Sequence, residues 1–232
     1  MKIIEWTDSG PGWTLPPTAA TIGVFDGLHL GHRALVSRVV NNSTGLVPMA
    51  VTFRTNPKKM TKPQRFHGDI FNLDQKLAAL ESAGVHLCIL IDFSGNFSKL
   101  HGTEFVSILV QSFGVRSFVV GHDFRCGHNL STDAMGVKEA ASAYGLETEI
   151  VEPVSVNGHI VSSSSIRTAI MNGRTDLALA MLGRPYTLDL RSFEMTAAGT
   201  RRMVNMPETG YVVPATGRYH LVVGSRTNRC DT

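Results

Sequence analysis

Two histidines, His29 and His32, flank Gly31 in the run TIGVFDGLHLGH, directly after an apolar stretch with strand character. The turn Asp26–Gly27 follows Phe25, and apolar residues then return at helical spacing, so both histidines fall on a strand-to-helix turn. Unpaired backbone N–H groups and the positive end of a helix attract phosphate there, and two imidazoles three residues apart on one face add donors beside them. Gly31 lets a polyphosphate come close to the backbone. Either histidine alone reads as a surface residue at a helix start; the pair after a strand is what points to phosphate. The chain holds no GxxxxGK[ST] sequence, and this turn lacks the spacing of a GxGxxG fingerprint, so the chemistry is neither that of a P-loop nor that of a dinucleotide fold.

A second anion site is readable in VSSSSIR, where Ser162, Ser163 and Ser164 are placed to cap a helix and Arg167 to project from its first turn. The fixed charge and planar fork of Arg167 suit phosphate oxygens. No GxSxG elbow surrounds these serines, which argues against a nucleophilic role. In GHDFRCG, Asp123 is a candidate for nucleotide ribose or base and Arg125 for a phosphate, with Phe124 as a core anchor. The connection from Arg54 to Ile70 is long and carries Lys58, Lys59, Lys62 and Arg65. It reads either as a basic flap over anionic ligands or as a solvated loop.

The elements that must position these groups alternate in the manner of a parallel sheet with crossover helices. Strands are expected at TAATIGVF from Thr18, LVPMAVTF from Leu46, VHLCILIDF from Val85, VRSFVVG from Val115 and LETEIVEPV from Leu146. Helices are expected at ALVSRVV and in three segments closed by Gly84, Gly114 and Gly145, where a positive φ ends a helix. In such a sheet ligands collect beyond the carboxyl ends of the strands, after Phe25, Phe53, Phe93 and Val120. Two short helices follow the fifth strand, the second starting at Thr175. A boundary is expected near Pro185, dividing a domain of residues 1–185 from a β-rich tail of residues 186–232 with strand-like pieces YVVP and RYHLVVG.

The 22 basic and 19 acidic residues leave a net charge of +3, and the excess lies in the tail, which has seven Arg and no Lys against four acids from Arg184 onward. No nucleic-acid partner is expected from this balance. Cys88, Cys126 and Cys230 form no CxxC pair, which argues against zinc and disulfides and for a reducing cytoplasm. No segment approaches the roughly 18 apolar residues of a membrane span, and the N-terminus lacks a signal-peptide pattern.

Taken together, the motifs resemble the HxGH nucleotidyltransferase superfamily and, within it, the adenylyltransferase module of bacterial FAD synthetases, usually fused to a riboflavin kinase. The resemblance runs from Thr21 to about Tyr186 through TIGVFDGLHLGH, VTFRTNP, VVGHDFRCG, VSSSSIR and LGRPY, in the family's order. It implies an α/β fold, a Rossmann-like open parallel sheet of HUP/nucleotidyltransferase type, and an FMN adenylyltransferase that makes FAD and pyrophosphate from FMN and ATP with Mg²⁺. It further implies that His29 and His32 contact the α-phosphate and that Arg167 holds the departing pyrophosphate. Gly23, Phe25, Gly31, Asp123 and the three serines would line the ATP side, and Phe53, Asn56, Pro57 and Arg125 the flavin side. No metal ligand can be assigned; Asp26 is close, but an Asp before Gly usually forms a turn. Arg54, Thr55 and Asn56 depart from the family's acidic residue, proline and histidine, which puts detail of the flavin pocket in question.

A full family member continues into a kinase barrel marked by PTAN, a run that does not occur here. The 46 residues after Tyr186 therefore read as a shortened remnant without riboflavin kinase activity. The rivals are a nucleotidyltransferase with another phosphorylated acceptor and a non-catalytic nucleotide- or flavin-binding module.

Overall fold

The computed structural model describes residues 1–7, 12, 14–41, 45–93, 95–192, 195–198, 201–204 and 210–222. Six short runs rich in apolar residues build one sheet: β1 (Lys2–Glu5), β2 (Thr18–Ile22), β3 (Val47–Phe53), β4 (Leu87–Ile91), β5 (Val115–Gly121) and β6 (Glu147–Val151). Every neighbouring pair is parallel, in the order β1-β4-β3-β2-β5-β6. Central strands such as β2 (TAATI) and β4 (LCILI) are buried along their whole length. That requires apolar or small residues at every position, because helices cover both faces.

The helices are α1 (Leu30–Val40), α2 (Lys58–Thr61), α3 (Leu73–Ser82), α4 (Gly102–Ser112), α5 (Ala134–Ser142), α6 (Ser163–Met171) and α7 (Thr175–Leu182). On one face of the sheet, Phe105, Val106 and Leu109 of α4 pack with Val137 and Ala141 of α5. On the other, Leu35, Val36 and Val39 of α1 meet Leu80 of α3. A third apolar cluster joins α6 and α7 to Ile70, Val161 and Val212. The chain runs outward from β2 through β3 to β4, then crosses back to β5 on the other side of β2. The strand order therefore switches between β2 and β5, and their carboxyl ends open onto the crevice where such folds bind ligands.

The five expected strands and the crossover helices are present, and Gly84, Gly114 and Gly145 have φ of +94°, +71° and +70°. The sheet also has an edge strand, β1, whose four residues are mostly exposed and too short to give a pattern. The Arg54–Ile70 connection folds into α2 and a 3₁₀ turn, Pro63–Arg65. In the tail, Met195–Ala198 and Arg201–Val204 pair as antiparallel strands. YVVP supplies a single bridging residue, residues 218–222 are not strand, and Val223, Gly224 and Cys230 lie outside the described residues.

The segment around Tyr211 nevertheless docks firmly. Asp69 N–H donates to the Gly210 carbonyl at 2.7 Å, Val212 N–H donates to the Asp69 carbonyl at 3.0 Å, and the Tyr186 hydroxyl donates to the Val212 carbonyl at 2.7 Å. Val212 is fully buried. Gly68 permits this approach, since at φ +97° an added Cβ would stand 2.2 Å from the Tyr211 carbonyl carbon. Gly68→Ala is expected to lower unfolding stability by about 1–3 kcal/mol, the range for strain at such a backbone position. Urea denaturation checks this, and an unchanged midpoint would mean that the tail is not seated on Gly68.

Candidate active site

Beyond β2 the backbone turns sharply, with Phe25, Gly27 and Leu28 at φ +50°, +79° and +35°. A non-glycine residue in the left-handed region costs roughly 1–3 kcal/mol and persists only when its surroundings impose it. Here the imposing group is Asp26. Its Oδ1 accepts the N–H groups of Ile70 and Phe71, both at 2.9 Å, and its Oδ2 accepts Nη2 of Arg167. Arg167 Nε donates to the Gly68 carbonyl at 2.7 Å, and the Ser163 hydroxyl donates to the Asp26 carbonyl at 3.1 Å. Asp26 and Arg167 are only 4% and 6% exposed, so the ion pair is sealed from water. Burial pushes the Asp26 carboxyl above its usual value, against the pull of the Arg167 guanidinium and the Phe71 and Ile70 amides. Arg184 completes the clamp, donating to the Gly27 carbonyl at 2.8 Å with its guanidinium 4.2 Å from the Phe71 ring centre.

This turn delivers the histidines. His29 is the N-cap of α1, and its Nδ1 accepts the His32 backbone N–H at 3.3 Å. That bond assigns the ring proton of the neutral imidazole to Nε2 and leaves a defined donor. The two rings stack at 3.6 Å, with the edge of His32 against the Phe25 ring at 5.3 Å. Burial, with Arg167 adding to it, pushes His29 down to about 4. Burial, then His29 and Arg167, holds His32 well below its usual value. The pair is thus neutral at pH 7, and His32 Nδ1 is enclosed without a hydrogen-bond partner among the described residues. Gly31 leaves room for this packing, since a Cβ there would press on the His29 ring at 3.3 Å. Gly23 likewise leaves room for the Phe25 ring, which a Cβ would meet at 3.2 Å. Phe25 is fully buried, and its ring supports His32.

The serine run starts α6 as expected. Ser162 is the N-cap, accepting the Ser165 N–H at 3.1 Å. Ser163 is turned onto Asp26, and Ser164 lies 3.5 Å from Lys58 Nζ. The N-termini of α1 and α6, both histidines and Arg167 are therefore brought together.

The acceptor-side residues are more dispersed. Asp123 and Arg125 are exposed just past β5, while Phe124 is anchored in the core as expected. Phe53 sits among Phe93 and Phe97, with ring centres 6.0 and 5.8 Å away. Asn56 is buried and accepts the Lys58 N–H at 3.1 Å, and Pro57 is the N-cap of α2. Arg54 points away to Glu5 at 2.5 Å, and Arg54 and Thr55 line a polar cleft of about 210 Å³ with Lys59, Asp69, Asn72 and Tyr211. Burial raises Cys88 and Cys126 to about 12, so neither is a nucleophile at neutral pH.

Asp26 and Arg184 were not assigned these roles by the sequence. The only local sign of Asp26 is its place beside the histidine motif; its partners are more than forty residues away.

The family model described as FAD synthetase matches residues 13–165, which include the histidine turn and the capping serines of α6. The chain belongs to the FAD synthetase family. Among its relatives, the bifunctional riboflavin kinase/FMN adenylyltransferase of Escherichia coli (strain K12) is 28% identical over 209 residues, covering 88% of this chain and 67% of the relative. The protein of the same description from Pseudomonas fluorescens is 31% identical over 172 residues, covering 73% and 55%. That from Bacillus subtilis (strain 168) is 26% identical over 208 residues, covering 85% and 65%. The family's fold is also that of a solved structure, the macrolide-efflux protein from Streptococcus pneumoniae, at a TM-score of 0.77 and 24% identity over 94% of this chain and 73% of that one. At that identity the likeness is one of fold alone. Among the described residues, no helix is long and apolar enough to cross a membrane.

Asp26→Ala leaves Arg167 buried without its counter-charge and is expected to cost about 3–5 kcal/mol of stability; a loss below 1 kcal/mol would mean that the pair does not organise the turn. The histidines add a pH dependence. His29 titrates near 4 when folded against 6.5 when unfolded, so the unfolded chain takes up the proton first. Stability therefore falls as pH drops from 6.5 toward about 4, and His29→Gln should flatten that fall in denaturant midpoints measured across the range. A variant with the same slope as the parent would contradict a buried neutral His29.

Proposed function

We propose that the chain transfers the adenylyl group of ATP to FMN, giving FAD and pyrophosphate. The observation that carries this reading is the meeting of two helix N-termini, those of α1 and α6, at a pair of neutral stacked imidazoles within a positive field. Such a place accepts polyphosphate without needing a proton from it.

A phosphate oxygen of FMN, already anionic at neutral pH, attacks the α-phosphorus of ATP. The bond from that phosphorus to the oxygen bridging to the β-phosphate breaks, and pyrophosphate leaves with the electron pair. No general base is required, and the barrier is one of alignment and charge. Nε2–H of His29 and the ring of His32 would contact the α-phosphate oxygens, with the backbone at Gly23, Phe25 and Gly31 close to the nucleotide. Ser162, Ser163 and Ser164 frame the α6 end of the polyphosphate. Arg167 contributes its charge at the pyrophosphate end from a position fixed by Asp26. Asp123 is proposed to meet ribose or base, and Phe53, Asn56, Pro57 and Arg125 to border the flavin. Arg54 and Thr55 lie toward Glu5 and the separate polar cleft, which supports FMN as acceptor despite the altered loop.

The donor set does not fit a metal held by the protein. Both Asp26 oxygens are engaged, and no group of three His, Cys, Asp or Glu among the described residues is placed to hold an ion. Mg²⁺ would enter bound to ATP phosphates and water, where it neutralises their charge.

Residues 1–185 are proposed as the nucleotidyltransferase domain and residues 186–232 as a separate β-rich segment. Without a PTAN run, these 232 residues are expected to form no FMN from riboflavin. The reaction is proposed to be cytoplasmic, and no nucleic-acid or membrane partner is expected for it.

Incubation with Mg²⁺, ATP and FMN, followed by chromatography and a pyrophosphate assay, should give FAD and pyrophosphate in equal amounts; no FAD above background would sink the proposal. His32→Ala should lower kcat at least 100-fold, on the order of the loss when a preorganised transition-state donor is removed, with circular dichroism unchanged. Turnover near that of the parent would mean that the phosphate site lies elsewhere.

A further inference from the structure

We propose that Lys58 is the movable cation of this site, the side chain that grips the β- and γ-phosphates of ATP and follows the pyrophosphate as it leaves. This rests on the adenylyl-transfer reading and adds to it a residue outside the motifs that carry the resemblance.

Arg167 is poorly placed to take that part alone. Its Nε is committed to the Gly68 carbonyl at 2.7 Å, its Nη2 to Asp26, and the Phe66 ring lies 5.4 Å from its guanidinium. Moving it toward a ligand would leave Asp26 buried and uncompensated, a costly change. Its charge is felt, but its geometry is fixed. A group that must bind ATP, tolerate charge shifting onto the leaving group and then release it has to move.

Among the flap cations, only Lys58 has a described contact with α6. Lys59 faces the other way, paired with Asp69 at 2.7 Å and 5.5 Å from the Phe66 ring centre. Lys62 and Arg65 are exposed, as Lys58 is, but have no such contact among the described residues. Lys58 reaches across to α6, with its Nζ 3.5 Å from the Ser164 hydroxyl in the first turn. It is a long reach at marginal hydrogen-bond distance to a neutral partner, so an arriving phosphate oxygen would replace it at little cost. Desolvation lowers the Lys58 pKa; of the charged groups facing the ammonium, Arg167 and Lys62 add to that shift, and Asp26 and Asp123 oppose it. Arg167 and Asp26 cancel as an ion pair and Lys62 is set against Asp123, so the positive charge offered to a polyanion here is that of Lys58 itself.

The altered loop explains how Lys58 is aimed. Asn56, standing where the family has histidine, is buried and caps the first turn of α2 by accepting the Lys58 N–H at 3.1 Å. The turn is closed by Lys59 N–H to the Asn56 carbonyl at 2.9 Å and Lys62 N–H to the Lys58 carbonyl at 3.0 Å. The backbone of Lys58 is therefore fixed, and its four-carbon stem supplies the movement.

The test is binding of inorganic pyrophosphate, with Mg²⁺, to the full chain by calorimetry, together with steady-state FAD formation. Lys58→Ala should weaken pyrophosphate binding about tenfold, the scale of one charge-assisted contact, while Lys58→Arg restores most of it and Lys62→Ala stays within about twofold. In turnover, Lys58→Ala should raise KM for ATP and lower kcat, leaving KM for FMN unchanged. Pyrophosphate binding by Lys58→Ala equal to that of the parent overturns the proposal, as does an equal loss in Lys62→Ala, which would reveal only a diffuse basic surface. If the parent makes no FAD but Lys58→Ala still loses pyrophosphate, the acceptor assignment fails and Lys58 stands. If the parent makes FAD but binding does not depend on Lys58, the reverse holds.

Discussion

A buried ion pair between Asp26 and Arg167 ties three separate parts of the chain into one site. Asp26 belongs to the turn after β2, Arg167 to α6, and the amides and carbonyl that complete the network belong to residues 68–71. An ion pair removed from water stabilises little by itself, since desolvation offsets most of the attraction. Its effect is on specificity: each partner excludes any arrangement in which the other is left alone. The positive φ angles of Phe25 and Leu28, unfavourable in isolation, are held by that requirement, and they set the angle at which His29 enters α1.

The pair also separates two kinds of charge in the site. Arg167 is permanent and immobile, and it contributes to holding both histidines neutral. In the proposed reaction, neutral imidazoles would offer N–H donors without the attraction of a full charge, holding ground-state ATP lightly and gaining most where charge accumulates in the transition state. The docked Tyr211–Val212 segment braces the same network from outside, because the Gly68 that accommodates Tyr211 is also the acceptor for Arg167 Nε.

Much of this was legible from local pattern. The apolar runs, the closing glycines and the histidine pair each carry their meaning within a dozen residues, and the sheet, crossover helices and position of His29 and His32 follow from them. The capping of α6 by Ser162 was equally local. What escaped was long-range or weak. Asp26 looks like an ordinary turn residue until Arg167, 141 positions later, is brought beside it. Strand β1 has too few residues to show a period, and YVVP is strand-like in composition yet makes a single bridge, because the partner edge at Asp69 is itself one residue long. Lysines in sequence at 58 and 59 look equivalent, but the turn of α2 sends one to α6 and the other to Asp69.

The central claim is that this pocket aligns the α-phosphate, rather than the γ-phosphate, for attack by the flavin phosphate. ATP labelled separately at its α- and γ-phosphorus, incubated with FMN and the protein, tests it most directly. Label from the α-position should appear in the flavin product and label from the γ-position in pyrophosphate. Label from the γ-position in the flavin product, or α-label remaining wholly in ADP or AMP, would contradict it.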